Sequence, residues 1–281
     1  MLNYVSPLIK DDETFIKLKW KLRMNYPLNL ENPQTFSEKL QWLKLHDRRP
    51  EYTRMVDKVE AKKYVAELIG EQYIIPTLGV WNSPDEIDFD SLPNQFVLKC
   101  NHNSGEGMYI CKDKSQMNRS KVVDGLRKAL KRNYYWISRE WPYKNVRRRI
   151  IAEQYMTDDG VELKDYKVFI FNGEPRIIAV DYNRFHGHLR NIYTTEWEKI
   201  DAIINDFQTD CKRVFEKPKV LEEMLSLSRK LAAGLPHVRT DFYIVNDKIY
   251  FGELTLYHAG GFVRTTPGEL NLKMGKWTVL P

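Results

Sequence analysis

A mixed α+β fold, helices first and antiparallel sheet after, is what this sequence predicts. Three observations carry that expectation. Apolar residues recur at helical spacing through residues 12–69. Beyond residue 94 the chain reads as strand–loop–helix units and hairpins, with no regular βαβ alternation. The composition, 42% hydrophobic and 29% charged over 281 residues, is that of a globular chain with room for two or three lobes.

Taken in order, residues 12–26 predict a helix with Phe15, Leu18, Leu22 and Trp20 on its apolar side, ended by Pro27. Thr35-Phe36-Ser37-Glu38 is a capping box, and Leu40, Leu43 and Leu45 follow it. Asp57 to Ile69 predicts a third helix that buries Val59, Tyr64, Val65, Leu68 and Ile69, with Gly70 as its C-cap. Tyr73 to Trp81 reads as a short strand and loop broken by Pro76, and the turn-rich Ser83 to Pro93 as a boundary between lobes. A strand at Gln95–Cys100, the loop NHNSGEGMYI and a helix at Lys121–Arg132 come next. Ile150–Tyr155 is another strand. Asp165–Phe171 and Arg176–Tyr182 form a hairpin turning at Asn172-Gly173. A helix at Val220–Ala233 presents Leu221, Met224, Leu225, Leu231 and Ala232 on one side.

The stretch Val238–Gly261, VRTDFYIVNDKIYFGELTLYHAGG, carries the most chemistry. It predicts a hairpin, with a carboxylate near the far end of each arm. A three-residue loop, Asn246-Asp247-Lys248, sets Val245 against Ile249 and Asp241 against Glu253. Period-2 alternation then puts Asp241, Glu253 and Thr255 on one face. A two-residue loop would send the acids to opposite faces. Paired carboxylates repel unless something positive lies between them, and Mg²⁺ held with substrate phosphates would answer that need. Arg239 and Arg264 flank the acids and suit phosphate oxygens. Solvated acids on a surface hairpin are the bland alternative.

Other segments are weaker in isolation. Lys99 ends a strand, and Ser104-Gly105-Glu106-Gly107 is a flexible turn whose backbone could cradle phosphate, although no Walker A or Rossmann pattern is present. Lys58, Lys62 and Lys63 read as a solvated helix face. Glu153-Gln154-Tyr155 ends a strand where backbone groups could read an adenine edge. Asp165 and Lys167 share one face of the next strand. His258 reads as structural, and Gly260-Gly261 as a tight turn or a close approach of backbone to ligand. Cys100, Cys111 and Cys211 make no metal spacing; buried, reduced thiols are expected. The net charge of +6 favours an anionic partner without choosing among nucleotide, acidic glycan, nucleic acid and membrane surface. MLNYVSPLIKDDE has no apolar h-region, and no long apolar run follows, so neither a secretory signal nor a transmembrane helix is expected and the location predicted is cytoplasmic.

The order of these pieces is more telling than any one of them. A helix-start DK, a strand lysine, a Gly-rich loop, a strand ending Glu-Gln-Tyr and then R-x-D…E-x-T resembles the ATP-grasp superfamily. In detail the chain resembles the TupA-like ATP-grasp family, named for teichuronopeptide synthesis and found with bacterial capsule and surface-polysaccharide genes. The blocks DYKVFIFNGEPRII and VRTDFYIVNDKIYFGELTLYHAGGF are the most specific.

The resemblance implies an ATP-grasp fold of two α+β lobes gripping ATP, with a helical N-terminal region over 1–94, a lid subdomain over 95–156 and a metal-bearing subdomain over 157–281. It implies that Lys58, Lys99, Ser104, Gly105 and Gly107 meet the phosphates. Glu153, Gln154 and Tyr155 would form the adenine hinge, and Asp165 would reach the ribose. Asp241 and Glu253 would hold Mg²⁺, with Arg239 near the transferred phosphate; Lys167 and Arg264, read from their positions beside the acids, join Arg239 as catalytic candidates. Thr255 stands where many ATP-grasp ligases carry Asn.

The implied reaction joins a carboxylate to an amine through an acyl phosphate, with an acidic sugar or glycan and a small amine as substrates. No nucleic acid is implied; peripheral contact with a membrane bearing lipid-linked glycan is compatible. The principal rival is a glycosyltransferase of polysaccharide biosynthesis, from the D-x-D of Asp88-Phe89-Asp90. A non-catalytic nucleotide-binding module and a nucleic-acid binder using Arg147-Arg148-Arg149 are further rivals.

Overall fold

The computed structural model describes residues 6–158, 163–183, 187–210 and 212–281; Cys211 lies outside them. Helix α1 (Asp12–Arg23) starts where the Asp11 side chain accepts from the Thr14 amide at 2.7 Å. Its buried stripe is Phe15, Ile16, Lys19 and Trp20, and Leu18 and Leu22 face outward. The expected 15–18–22 face is thereby rotated. Trp20 Nε1 donates to the Tyr26 carbonyl, and Lys19 Nζ to that of Ile137, so a lysine takes a position a leucine would have filled. Helix α2 (Phe36–His46) carries the expected capping box of Thr35 and Glu38. A short α3 (Glu51–Val56), not expected from the sequence, precedes α4 (Glu60–Ile69). On α4 Ala61, Lys62, Val65 and Ile69 are buried, and Leu68 points outward, contrary to expectation.

The first sheet has strand order β1 (Thr77–Trp81), β4 (Ile150–Gln154), β2 (Phe96–Cys100), β3 (Met108–Cys111), all antiparallel. Helix α5 (Arg119–Leu130) covers it through Val122, Leu126 and Ala129, Ile87, Phe89 and Leu92 complete that core, and the one-turn helix α6 (Tyr135–Ser138) follows in the chain. Strand β1 and residues 87–92 thus belong with the segment 95–156. This corrects the division at residue 94. The turn-rich stretch contributes apolar anchors to the smaller lobe instead of separating two lobes. Cys100 and Cys111 are buried free thiols; Cys111 lies opposite Phe96, not Cys100.

The second sheet has order β11 (Lys248–Thr255), β10 (His237–Val245), β5 (Asp165–Phe171), β6 (Glu174–Tyr182), β7 (Leu189–Tyr193), β8 (Lys199–Ile200). Strands β5 and β6 turn at Asn172-Gly173, both with positive φ, as the sequence predicts. Helix α7 (Leu221–Leu231) packs on this sheet through Leu221, Met224, Leu225 and Leu231. The C-terminal helix α8 (Glu269–Trp277) was not anticipated; it rests on α2, where Asn271 bonds Ser37. A ribbon of β9 (Ile203–Ile204) and β12 (Thr265–Thr266) crosses between segments far apart in sequence.

Gly107 shows what the smaller core demands. Its φ is +72°, and a Cβ there would lie 2.6 Å from Ala129 Cβ and 2.7 Å from Cys100 Sγ. Gly105, with φ +81°, has open space around it. Gly107→Ala should therefore cost about 2–4 kcal/mol, overpacking added to left-handed strain. Gly105→Ala should cost only about 1–2 kcal/mol. Urea midpoints of the two variants test the difference; equal shifts would refute it.

Candidate active site

The β10–β11 hairpin turns through two residues, Asn246 and Asp247, with φ of +50° and +56°, and Val245 pairs with Lys248. That turn alone would set Asp241 opposite Gly252. A β-bulge intervenes: Phe242 pairs with Phe251, and Asp241 pairs with Glu253. The three-residue loop of the sequence reading is corrected, yet the acids still meet on one face. Gly252 permits the bulge, because a Cβ there would lie 3.1 Å from the Asp241 carbonyl oxygen and 3.2 Å from the Tyr243 ring.

Between the acids lies a guanidinium. Arg239 Nε donates to Asp241 Oδ1 at 2.6 Å and Nη2 to Oδ2 at 2.7 Å; Nη2 also reaches Glu253 Oε1 at 3.0 Å. From β5, Lys167 Nζ lies 2.6 Å from Asp241 Oδ2 and 3.0 Å from Asp165 Oδ2. Strand register explains the grouping: Asp241 pairs with Lys167 on one side and with Glu253 on the other. Burial alone would raise the Glu253 carboxyl, but Lys58, Arg239, Lys167 and Lys99 outweigh it and hold it down to about 2. Asp181, which the sequence reading did not single out, extends the network. It accepts from Arg190 Nη2 at 2.7 Å, and His188 Nε2 lies 3.1 Å from it. The available signal was the β5–β6 hairpin, which places Asp181 opposite Asp165.

A second charge group stands on the smaller lobe. Glu153 is bridged by Lys62 Nζ at 2.9 Å and by Lys99 Nζ. Lys62 also donates to the Ile75 carbonyl at 2.6 Å, so it is a buried ion-pair member and not a solvated lysine. Glu153 belongs to this pair network by its side chain, and it lines the same cleft as Gln154 and Tyr155. Lys58 Nζ donates to the Asn103 carbonyl at 2.8 Å, at the root of the Gly-rich loop; burial lowers its pKa. Lys63 alone of these three α4-region lysines faces solvent as expected.

Both groups open on one cleft of about 610 Å³ between the sheets. Lys99, Ser104 and Gly105 line it on the smaller lobe, with Lys58 bonded to the root of that loop; Gln154 and Tyr155 follow; Asp165, Lys167, Asp241 and Glu253 line it on the larger. Its volume is that of a small-molecule or cofactor site. Some expected residues lie elsewhere. Gly107 packs on Ala129 and Cys100 and does not line the cleft. Arg264 pairs with Asp206 at the surface, because β12 carries it to the ribbon and away from the acids. Asp88 caps the turn at Asp90, and Asp90 pairs with Arg119, so the D-x-D is a surface turn outside the cleft lining. Arg148 caps the Leu130 and Lys131 carbonyls, and Arg149 bridges Asp57 and Glu60, which gives these arginines structural roles.

Among the described residues no group of three or more His, Cys, Asp and Glu is placed to hold a metal ion. The pair Asp241 and Glu253 nevertheless fits Mg²⁺ bound in the manner that uses one or two carboxylates together with phosphate oxygens. The Glu253 side chain is 38% exposed and can meet a cation directly. Asp241 already accepts three bonds from Arg239 and Lys167, two on Oδ2 and one on Oδ1, which leaves one acceptor site on Oδ1.

Residues 38–279 match the sequence profile of TupA-like ATPgrasp proteins, most of the chain, and the chain belongs to that family. No curated protein sequence is significantly similar. Among solved structures, D-alanine–D-alanine ligase of Helicobacter pylori is 14% identical, with a TM-score of 0.47, over 87% of this chain and 69% of that one. The ATP complex of the same ligase from Bacillus anthracis is 15% identical, with a TM-score of 0.42, over 72% and 55%. Biotin carboxylase of Campylobacter jejuni is 13% identical, with a TM-score of 0.45, over 96% and 53%. The chain thus spans little more than half the length of the latter two. No helix among the described residues is long and apolar enough to cross a membrane.

Proposed function

We propose that this TupA-like ATP-grasp protein is an ATP-dependent carboxylate–amine ligase, forming an amide and releasing ADP and phosphate. The observation that carries the reading is the cleft with lysines and a Gly-rich loop on one wall and Lys167, Asp241 and Glu253 on the other, the two acids bonded from behind by Arg239. The Gln154–Tyr155 segment receives the base, and Asp165 the ribose. Lys58, Lys99 and the Ser104–Gly105 backbone hold the phosphates. Mg²⁺, when bound through Glu253 and Asp241 with phosphate oxygens, supplies neutralisation of charge. A substrate carboxylate oxygen attacks the γ-phosphorus, and the bond to ADP breaks. An amine nitrogen then attacks the acyl carbon, phosphate leaves and the nitrogen loses its proton. Arg239 and Lys167 act by charge and position, which is what phosphoryl transfer chiefly requires. Arg264, paired at the surface, has no part in this reading.

For substrates we take a uronic acid carboxylate, free or within a bacterial surface glycan, and an amino acid or amino alcohol. The family supports that choice, and the basic chain suits an acidic sugar. The enzyme would work in the cytoplasm, where it could meet a lipid-linked glycan at the membrane surface. The test is ADP release from Mg-ATP across a panel of uronic acids, UDP-uronic acids and glycan fragments crossed with amino acids and amino alcohols. ADP formed only when both acid and amine are present is the expected result. Failure to bind ATP in the presence of Mg²⁺ would refute the reading.

A further inference from the structure

Among the buried groups that the mechanism above leaves unused, one touches Arg239. His258 is 3% exposed, on the turn that follows β11, and both its ring nitrogens have near neighbours. Nδ1 lies 2.5 Å from Arg239 Nη1, and Nε2 lies 2.7 Å from the Asn205 side-chain amide. A guanidinium can only donate, so Nδ1 must accept. A neutral imidazole then carries its proton on Nε2, and its partner on Asn205 must be the amide oxygen. With Asn205 Nδ2 toward the ring, as its amide is oriented here, two donors face each other. Amide orientation is settled by its hydrogen bonds. Turning it sacrifices a 3.2 Å contact from the Arg264 amide to Asn205 Oδ1 at an exposed position, where water can replace it. The contact with the ring is the more buried and the shorter.

We infer that His258, as the neutral Nε2–H tautomer fixed by Asn205, is the positioning residue for Arg239. The inference rests on the reading of Arg239 as part of the ligase site. Arg239 has five N–H groups. Asp241 takes one from Nε and one from Nη2, Glu253 takes the second from Nη2, and His258 takes one from Nη1. One Nη1 hydrogen remains, and its direction is set once the His258 bond is made. Burial and the Arg239 charge both hold the imidazole far toward its neutral form, which an accepting Nδ1 requires. The support continues outward. Asn205 is held by its backbone amide, which donates to the Arg264 carbonyl at 2.8 Å, and by the β9–β12 ribbon beside it. A segment outside the cleft lining thereby sets the aim of the arginine, as supporting contacts do in preorganised sites.

Two measurements test this. Nitrogen chemical shifts of His258 in the intact protein, assigned by its loss in His258→Asn, should show an unprotonated Nδ1 and a protonated Nε2. A protonated Nδ1 overturns the inference. The second measurement is ADP release with the acid–amine pair that supports turnover. His258→Leu removes the acceptor, and its kcat should fall about 10²-fold, the scale of a 1 Å misplacement, with the KM for ATP little changed. His258→Asn offers an amide oxygen where Nδ1 stood and should recover most of that loss. Equal losses in the two variants would leave only a packing role and overturn the proposal. If the wild-type protein turns over no pair, the ligase reading fails, and the nitrogen shifts still decide the state of His258.

Discussion

Glu253→Gln should lower ATP turnover by about 10²–10³-fold while costing the fold less than Asp241→Asn does, because water screens the cations around the 38%-exposed Glu253 side chain. Asp241→Asn should lose turnover at least as far and lose stability as well. The two acids face each other across one strand pair, yet their surroundings differ. Glu253 is partly exposed and shares a single Arg239 hydrogen, so a neutral amide of the same shape is tolerated by the fold. Asp241 is 1% exposed and is the common counter-ion of Arg239 and Lys167. Neutralising it leaves two cations pressed together in a buried place, a situation that typically costs about 3–5 kcal/mol. Turnover and unfolding must therefore be measured on both variants. Retention of most activity by Glu253→Gln would remove that carboxylate from the site. Equal stability of the two variants would show that Asp241 is not the charge on which the network depends.

Much of this was legible in the sequence because it rests on short-range rules. Thr35 and Glu38 at capping-box spacing, Asn172-Gly173 between alternating strands, and the α7 apolar stripe each specify local structure through nearby atoms. The pairing of Asp241 with Glu253 was reached through the wrong turn. A two-residue turn plus a bulge at Gly252 pairs the acids as a three-residue loop would, and the two differ only between the turn and the bulge, where Val245 meets Lys248 and Phe242 meets Phe251. What stayed hidden depends on contacts between distant segments. Lys19, Lys44 and Lys62 are lysines on helices, which pattern reading assigns to solvent. They are buried because carbonyls of Ile137, Ser138, Gly260 and Ile75, remote in sequence, turn toward them. Strand β1 likewise looked like part of the N-terminal region, since its partner β4 begins some seventy residues later in the chain. Arg264 illustrates the converse. Proximity in sequence to the acids suggested a role, and the ribbon that carries it leads away from them.

Glu153→Gln should destabilise the protein by about 3–5 kcal/mol, the usual cost of removing one partner from a buried ion network. Burial opposes the Glu153 carboxylate, and the charges of Lys99 and Lys62 overcome that opposition, holding the carboxyl down to about 2 from an ordinary 4.5. The sign of the pH dependence follows. A carboxyl whose folded value is depressed contributes stability that is fully present above about pH 4.5 and is lost as the pH falls through about 2. A shift of that size corresponds to about 3 kcal/mol. Urea unfolding of the native chain should therefore weaken between those limits, and the Glu153→Gln variant, lacking the titrating group, should weaken less over the same interval. Both lysines matter to the outcome. Lys62 has the Ile75 carbonyl and Thr77 Oγ1 to fall back on, whereas Lys99 donates to Glu153. The amide variant consequently frees Lys99 toward the cleft that we propose takes the triphosphate, so ATP should restore part of the lost stability. A variant with the same acid sensitivity as the native chain would mean that Glu153 is not the group the two lysines hold ionised.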